Sequence, residues 1–285
     1  MRLGVCTTDL PRMTPDALFD KAASLGFDCV QFAFDSVPID GFTADTRIEI
    51  PGDVPRGTLD EIMRASIRTG LPVVAANGTF NMAHPDAAVR DEGIRRFPGF
   101  LDAVRSLGCT LVSVCTGSRN PAHLWQPHPD NNTPGAWNDM RGTMLRCAEY
   151  AAARGMMLLV EVEASNVVDT PEKARRLLQE CGAAVKIVLD PANLFHVGMA
   201  HRKNVRPTLD RAFELLGADI ALAHGKDIRE GDGIDFCPTG EGIVDFPYLL
   251  ALLEKYGCGV DLMLHGIFTD AAFHRSVSYI RGLFR

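Results

Sequence analysis

Three observations predict a single (β/α)8 barrel. Eight short, nearly continuous apolar runs rich in β-branched residues recur along the 285-residue chain, as parallel strands covered on both faces require. An amphipathic stretch follows each run, at a spacing on the order of 35–40 residues between strand starts. No GxGxxG follows the first run, so a doubly wound dinucleotide-binding sheet lacks its main sign. One domain over 1–285 is expected.

The predicted strands are Leu3–Thr7, Cys29–Ala33, Val73–Ala76, Thr110–Cys115, Met157–Glu161, Val185–Leu189, Ile220–Ala223 and Val260–Leu264. Helix ends punctuate the intervals. Thr14-Pro15 opens the first helix as cap and first residue, and Gly26 closes it. Thr58 with Glu61 has the form of a capping box ahead of Gly70. Thr170-Pro171-Glu172 opens a helix that Gly182 ends, and helical spacing also marks Phe97–Leu107, Met140–Arg154, Thr208–Leu216, Phe246–Lys255 and Ala271–Phe284. Two connections, Asp35–Arg56 and Arg119–Trp137, are too long for plain linkers. Each follows a strand, which puts it at the face of a barrel where active sites are built.

Composition narrows the function classes. With 29 Lys+Arg against 36 Asp+Glu, the net charge of −7 argues against nucleic-acid binding, which needs a basic face. No apolar run approaches the roughly 18 residues of a membrane span, and MRLGVCTTDLPRM has no apolar core of a signal peptide. The eight cysteines include no CxxC pair, and Cys6, Cys29, Cys109 and Cys115 fall in or beside strand runs. They read as buried thiols of a reducing compartment, which predicts a cytoplasmic protein. The apolar surface of the helices leaves homo-oligomerisation open.

The last four strands each end in a group that can ligate a metal. LLVEVEASNVV delivers Glu161 with Glu163 two residues on, KIVLDPANLFHVG delivers Asp190, IALAHGKDI delivers His224 and VDLMLHGI delivers His265. Carboxylates rarely close buried strands unless paired or coordinating, and barrel strand ends converge on one mouth. Two carboxylates and two imidazoles suit one divalent Mn, Zn, Co or Fe ion better than Mg. His84, past the third strand, is a candidate pocket residue. Arg119 and Lys226 are candidate anion binders, and Trp125 and Trp137 are candidate stacking surfaces for a sugar.

These segments resemble the sugar phosphate isomerase/epimerase family of the xylose isomerase-like TIM barrel superfamily. The likeness rests on Glu161 in LLVEVEASNVVDTPE, Asp190 in IVLDPANLF, His224 with Lys226-Asp227 in AHGKD, GEGIVDF from Gly240 to Phe246, and FNMAHPD at Phe80–Asp86. It implies a metal held by Glu161, Asp190, His224 and His265. Two departures stand out. Many members carry a second glutamate where this chain has His265, and a histidine where it has Asn193, here a candidate substrate-binding residue with Glu163. Loss of the second glutamate weakens the two-carboxylate epimerase scheme and leaves Glu161 as the base, or Glu163 if Glu161 only ligates.

The expected chemistry is metal-assisted removal of the proton next to a carbonyl, giving an ene-diolate that His265 or water reprotonates. That describes an isomerase or epimerase of a small sugar, keto-polyol or hydroxy-acid. The same intermediate with loss of a β-hydroxyl describes a lyase of the inosose dehydratase type. A sugar-binding barrel without catalysis is the alternative of another class. An apurinic-site endonuclease, also found in this superfamily, would need more ligands and a basic groove.

Overall fold

The computed structural model describes residues 1–284, and its architecture is the predicted one. Eight parallel strands close a barrel: β1 (Leu3–Cys6), β2 (Cys29–Phe32), β3 (Val73–Asn77), β4 (Leu111–Val114), β5 (Met157–Glu161), β6 (Val185–Leu189), β7 (Ile220–Gly225) and β10 (Leu262–Leu264). Their order around the barrel is β1-β10-β7-β6-β5-β4-β3-β2. The outer helices are α1 (Pro15–Ser24), α2 (Arg56–Thr69), α3 (Ala87–Ser106), α4 (Pro134–Ala152), α5 (Pro171–Cys181), α6 (Arg202–Leu216), α7 (Phe246–Lys255) and α8 (Asp270–Leu283). No helix among the described residues is long and apolar enough to cross a membrane.

Local chemistry explains most boundaries. Thr133 and Thr170 accept hydrogen bonds from the Ala136 and Lys173 amides and so start α4 and α5, each with proline at the first position. Gly70 ends α2 in the left-handed conformation at φ 71°. Three expectations shift. The capping box at Thr58 does not form, because α2 already begins at Arg56 behind Pro55. Trp137 belongs to α4 rather than a loop. The last barrel strand starts at Leu262, because the Val260 amide folds back onto the Cys258 carbonyl (2.8 Å).

A two-stranded hairpin absent from the sequence reading, β8 (Asp227–Ile228) with β9 (Phe236–Cys237), rises from the end of β7. Its anchor is Asp227, whose carboxylate accepts from the amides of Gly240, Gly242 and Val244 at 2.9–3.0 Å. A Cβ on Gly242 would lie 2.3 Å from Asp227 Oδ1, which is why glycine stands there.

Inside the barrel, Cys6, Cys29, Ala75, Leu159, Val188, Leu222 and Met263 form an apolar plug. Strand side chains alternate between faces, so the residues two positions further along point into the same interior, one layer nearer the mouth. Those residues are Thr8, Gln31, Asn77, Glu161, Asp190, His224 and His265. The plug thus forms an apolar floor, and the next layer is polar throughout.

Candidate active site

The polar layer opens into a cavity of about 370 Å³ at the C-terminal mouth of the barrel. Glu161, Asp190 and His224 supply ligand atoms that lie within 4.8 Å of one another. His224 Nδ1 stands 3.5 Å from both Glu161 Oε1 and Asp190 Oδ2. His224 Nδ1 and Asp190 Oδ2 are both buried without a hydrogen-bond partner.

The far side of His224 explains this. Its Nε2 lies 2.9 Å from Gln31 Oε1. Gln31 is oriented by donating its amide to Asn77 Oδ1 (2.6 Å) and Ser113 Oγ (3.0 Å). Oε1 can only accept, so His224 carries a proton on Nε2. In the neutral ring, Nδ1 then presents a lone pair to two carboxylates, an arrangement a cation resolves. Burial disfavours charge on His224, yet Cys6, Glu161 and Asp190 hold its pKa well above the usual value, so a cation at Nδ1 takes the place of a proton that the same neighbours favour. Burial likewise opposes ionisation of Asp190, but Lys226, His224 and His265 bring it down to about 2. The residues present therefore fit a divalent ion bound by one imidazole and two carboxylates.

His265 stands beside this group rather than in it. The two imidazole centroids are 5.4 Å apart, but His265 Nδ1 turns to buried Asp9, at 3.1 and 3.3 Å from its two carboxylate oxygens. The Ile267 amide donates to the same carboxylate (3.2 Å). Asp9 fixes the ring through Nδ1, and His265 lines the cavity. His265 lies outside the set of three whose ligand atoms stand within 4.8 Å of one another, but Asp9 engages only its Nδ1, as an outer carboxylate does for an imidazole that ligates through Nε2.

Asn193 links two other predicted residues. Its side-chain amide donates to Glu161 Oε1 (2.6 Å), and its Oδ1 accepts from Lys226 Nζ (2.8 Å). Lys226 also lies 3.7 Å over the Phe236 ring, so the hairpin packs directly on the cavity. Glu163 lines the cavity beside Glu161. Burial pushes its carboxyl up to about 7 despite Lys226, with Glu161 adding to the rise.

Trp125 reaches the cavity as expected, donating its indole N–H to Glu49 Oε1 (2.9 Å). His84 and Arg119 do not line it. Both ring nitrogens of His84 are engaged, Nε2 with the Pro121 carbonyl (3.1 Å) and Nδ1 with the Asp86 amide (3.1 Å). Arg119 pairs with Asp139 of α4 (2.8 Å) and donates to the Ala83 carbonyl (3.2 Å), so its charge is spent outside the cavity. Trp137 stacks under Arg176, whose guanidinium lies 4.0 Å from the ring, away from the cavity. Sequence reasoning missed Asp9, Gln31, Asp35, Glu49, Asn77 and Ser113. For Gln31 and Asn77 a signal existed, since each is a polar residue in an otherwise apolar strand.

The charges that line the cavity are lopsided. Asp35, Glu49, Glu161 and Glu163 face Lys226 and the two histidines, and no arginine is among the lining residues.

The chain resembles two curated proteins named inosose dehydratase. One, from Geobacillus kaustophilus, is 25% identical over 191 residues, covering 57% of this chain and 61% of that protein, less than two thirds of its length. The other, from Glaesserella parasuis, is 20% identical over 276 residues, covering 89% of this chain and 84% of that protein. Among solved structures, the 3-keto-D-glucoside 4-epimerase of E. coli aligns at TM-score 0.71 and 17% identity over 99% of both chains. A D-tagatose 3-epimerase-like protein aligns at TM-score 0.73 and 15% identity over 99% of this chain and 97% of its own. At these identities the structural likeness is one of fold. Residues 19–280 match the family described as xylose isomerase-like TIM barrel, and the chain belongs to that family.

Proposed function

We propose that the protein is a metal-dependent isomerase or epimerase of a small neutral sugar or keto-polyol, working by proton abstraction next to a carbonyl. The observation that carries this reading is the Glu161–Asp190–His224 cluster with its two buried, unpartnered ligand atoms, set in the floor of a polar cavity. Glu161, Asp190 and His224 would hold one divalent ion, Mn, Zn, Co or Fe. When bound, such an ion polarises a chelated carbonyl and acidifies the neighbouring C–H.

The chain's own residues supply the rest. Asn193, itself held by Lys226, orients Glu161 as a ligand, which leaves Glu163 to take the carbon-bound proton. His265, oriented by Asp9, returns a proton from its Nε2. The surplus of carboxylates in the lining supports a neutral substrate, because Lys226 is the one cationic side chain there besides the histidines and is already paired with Asn193. A phosphorylated sugar would find no arginine in the lining to take its charge. The eight free thiols support a reducing, cytoplasmic setting.

Dehydration through the same intermediate is the second reading. Two observations favour it: the relatives named inosose dehydratase, and an imidazole, His265, where a symmetrical two-carboxylate scheme needs a carboxylate. The test is solvent-deuterium exchange at carbon in inosose, D-tagatose and 3-keto-D-glucoside, with added Mn, Zn or Co and product identification. Exchange that requires the ion is expected. Binding of these sugars without any exchange would instead identify a non-catalytic sugar-binding barrel.

A further inference from the structure

Glu49 enters the cavity from a part of the chain that the chemistry above does not use. The loop between β2 and α2 doubles back over the barrel mouth, where Ile48 forms an antiparallel bridge with Phe80. The Glu49 amide donates to the Thr79 carbonyl (3.1 Å) and the Asn81 amide to the Arg47 carbonyl (2.7 Å). This places Glu49 above the end of β3, which faces β7 across the closed barrel. Glu49 therefore enters the cavity from the side facing β7, two strands round the barrel from β5.

The second long loop fastens it there. The Leu124 amide donates to the Thr46 carbonyl (3.0 Å), and the Trp125 indole donates to Glu49 Oε1 (2.9 Å). An indole N–H is a donor only, so Oε1 is committed as acceptor and Oε2 is left for a proton or a ligand. No lysine or arginine donates to Glu49 among the described residues. The charged groups that act on it are Asp35 and Asp45, with His265 from the β10 side. Burial raises its carboxyl to about 7, with Trp125 and His265 opposing and the two aspartates reinforcing the rise. A carboxyl that is largely neutral below neutral pH can donate as well as accept.

We propose that Glu49 is a catalytic acid of this cavity, donating a proton to a substrate hydroxyl from the β3 side, with Trp125 as its positioning residue. The proposal rests on the second reading above, dehydration through the proton-abstraction intermediate. The base beside the cluster removes the proton from the carbon next to the carbonyl, and that electron pair becomes a C=C bond. The C–O bond at the β-carbon breaks, and the departing oxygen takes the Glu49 proton and leaves as water. The base gives its proton to solvent and Glu49 takes one back through the cavity mouth, which resets both groups. One hydroxyketone gives one unsaturated ketone and one water, with no redox partner.

The test measures two rates on the metal-loaded protein, with inosose, D-tagatose and 3-keto-D-glucoside as probes: deuterium exchange at carbon, and formation of dehydrated product. Glu49→Gln keeps an acceptor for Trp125 but has no acidic proton. It should lower dehydration about 100-fold or more and raise the ratio of exchange to dehydration at least about tenfold. Trp125→Phe keeps the carboxyl and frees it to move. Its dehydration kcat should fall with KM within about threefold of wild type, as expected when orientation rather than binding is lost. Equal loss of both rates in Glu49→Gln, or no loss of either, overturns the proposal. Wild-type exchange without any dehydrated product also overturns it and leaves the isomerase reading standing. No exchange on any probe overturns the proton-abstraction reading and the acid role with it.

Discussion

His224 Nε2 lies 2.9 Å from Gln31 Oε1, and this contact decides which nitrogen His224 turns toward Glu161 and Asp190. Gln31 is itself held by Asn77 and Ser113, so three residues on β2, β3 and β4 set the tautomer of a ligand on β7. Replacing Gln31 with alanine frees the ring to flip or change tautomer. Metal affinity measured by calorimetric titration should then fall about 10–100-fold. Unchanged affinity would show that Gln31 does not orient the ligand.

Ion binding should stabilise the fold, because the three ligands come from β5, the loop after β6, and β7, which only folding brings together. At about 100 times the dissociation constant, a ligand of the native state adds about 2.7 kcal/mol. For a domain of this size that raises Tm by roughly 5–10 °C. Thermal melts with and without Mn or Zn check this, and Asp190→Ala should show no rise.

Glu49 also predicts the sign of a pH effect. Its carboxyl is raised to about 7 from an ordinary value of 4.5, chiefly by burial. The folded state therefore holds the proton more tightly than the unfolded state. The stability this contributes is complete below about 4.5 and is lost as pH rises through about 7. Glu49→Gln escapes that loss, so its Tm relative to wild type should increase from pH 5 to pH 8. A constant or shrinking difference would place the carboxyl in a wetter site than the fold shows.

Arg119 should matter to stability and not to substrate. Its guanidinium is held by Asp139 (2.8 Å) and the Ala83 carbonyl, and loss of such charge-assisted bonds costs about 1–3 kcal/mol. Arg119→Ala should lower Tm while KM for a neutral sugar stays within about twofold. A selective loss of affinity for a phosphorylated sugar would return Arg119 to the binding site.

The sequence was legible where a single rule operates along one segment. β5 and β6 fall where their apolar runs do, and Glu161, Asp190 and His224 converge because each closes such a run. Gln31 and Asn77 obey the same two-residue alternation above the plug but sit within strands 2 and 3, where nothing in the ligand pattern draws attention to a neutral amide. Asp9 and Glu49 lie outside the strands altogether, and only tertiary folding brings one to His265 and the other to Trp125. His84 and Arg119 erred in the other direction. Following a barrel strand puts a residue near the mouth, but unpaired loop carbonyls and Asp139 compete for its side chain. His265 was placed correctly at the mouth, and only the unseen Asp9 turns its Nδ1 away from the cluster.

The claim on which the rest depends is one divalent ion held by Glu161, Asp190 and His224, and ion titration of metal-free wild type, Asp190→Ala and His265→Ala tests it. One ion per chain in wild type and no measurable binding in Asp190→Ala are expected. His265→Ala separates an outer role, with affinity within about tenfold of wild type, from a fourth ligand, with a much larger loss. No binding by wild type, or wild-type affinity in Asp190→Ala, would overturn the claim.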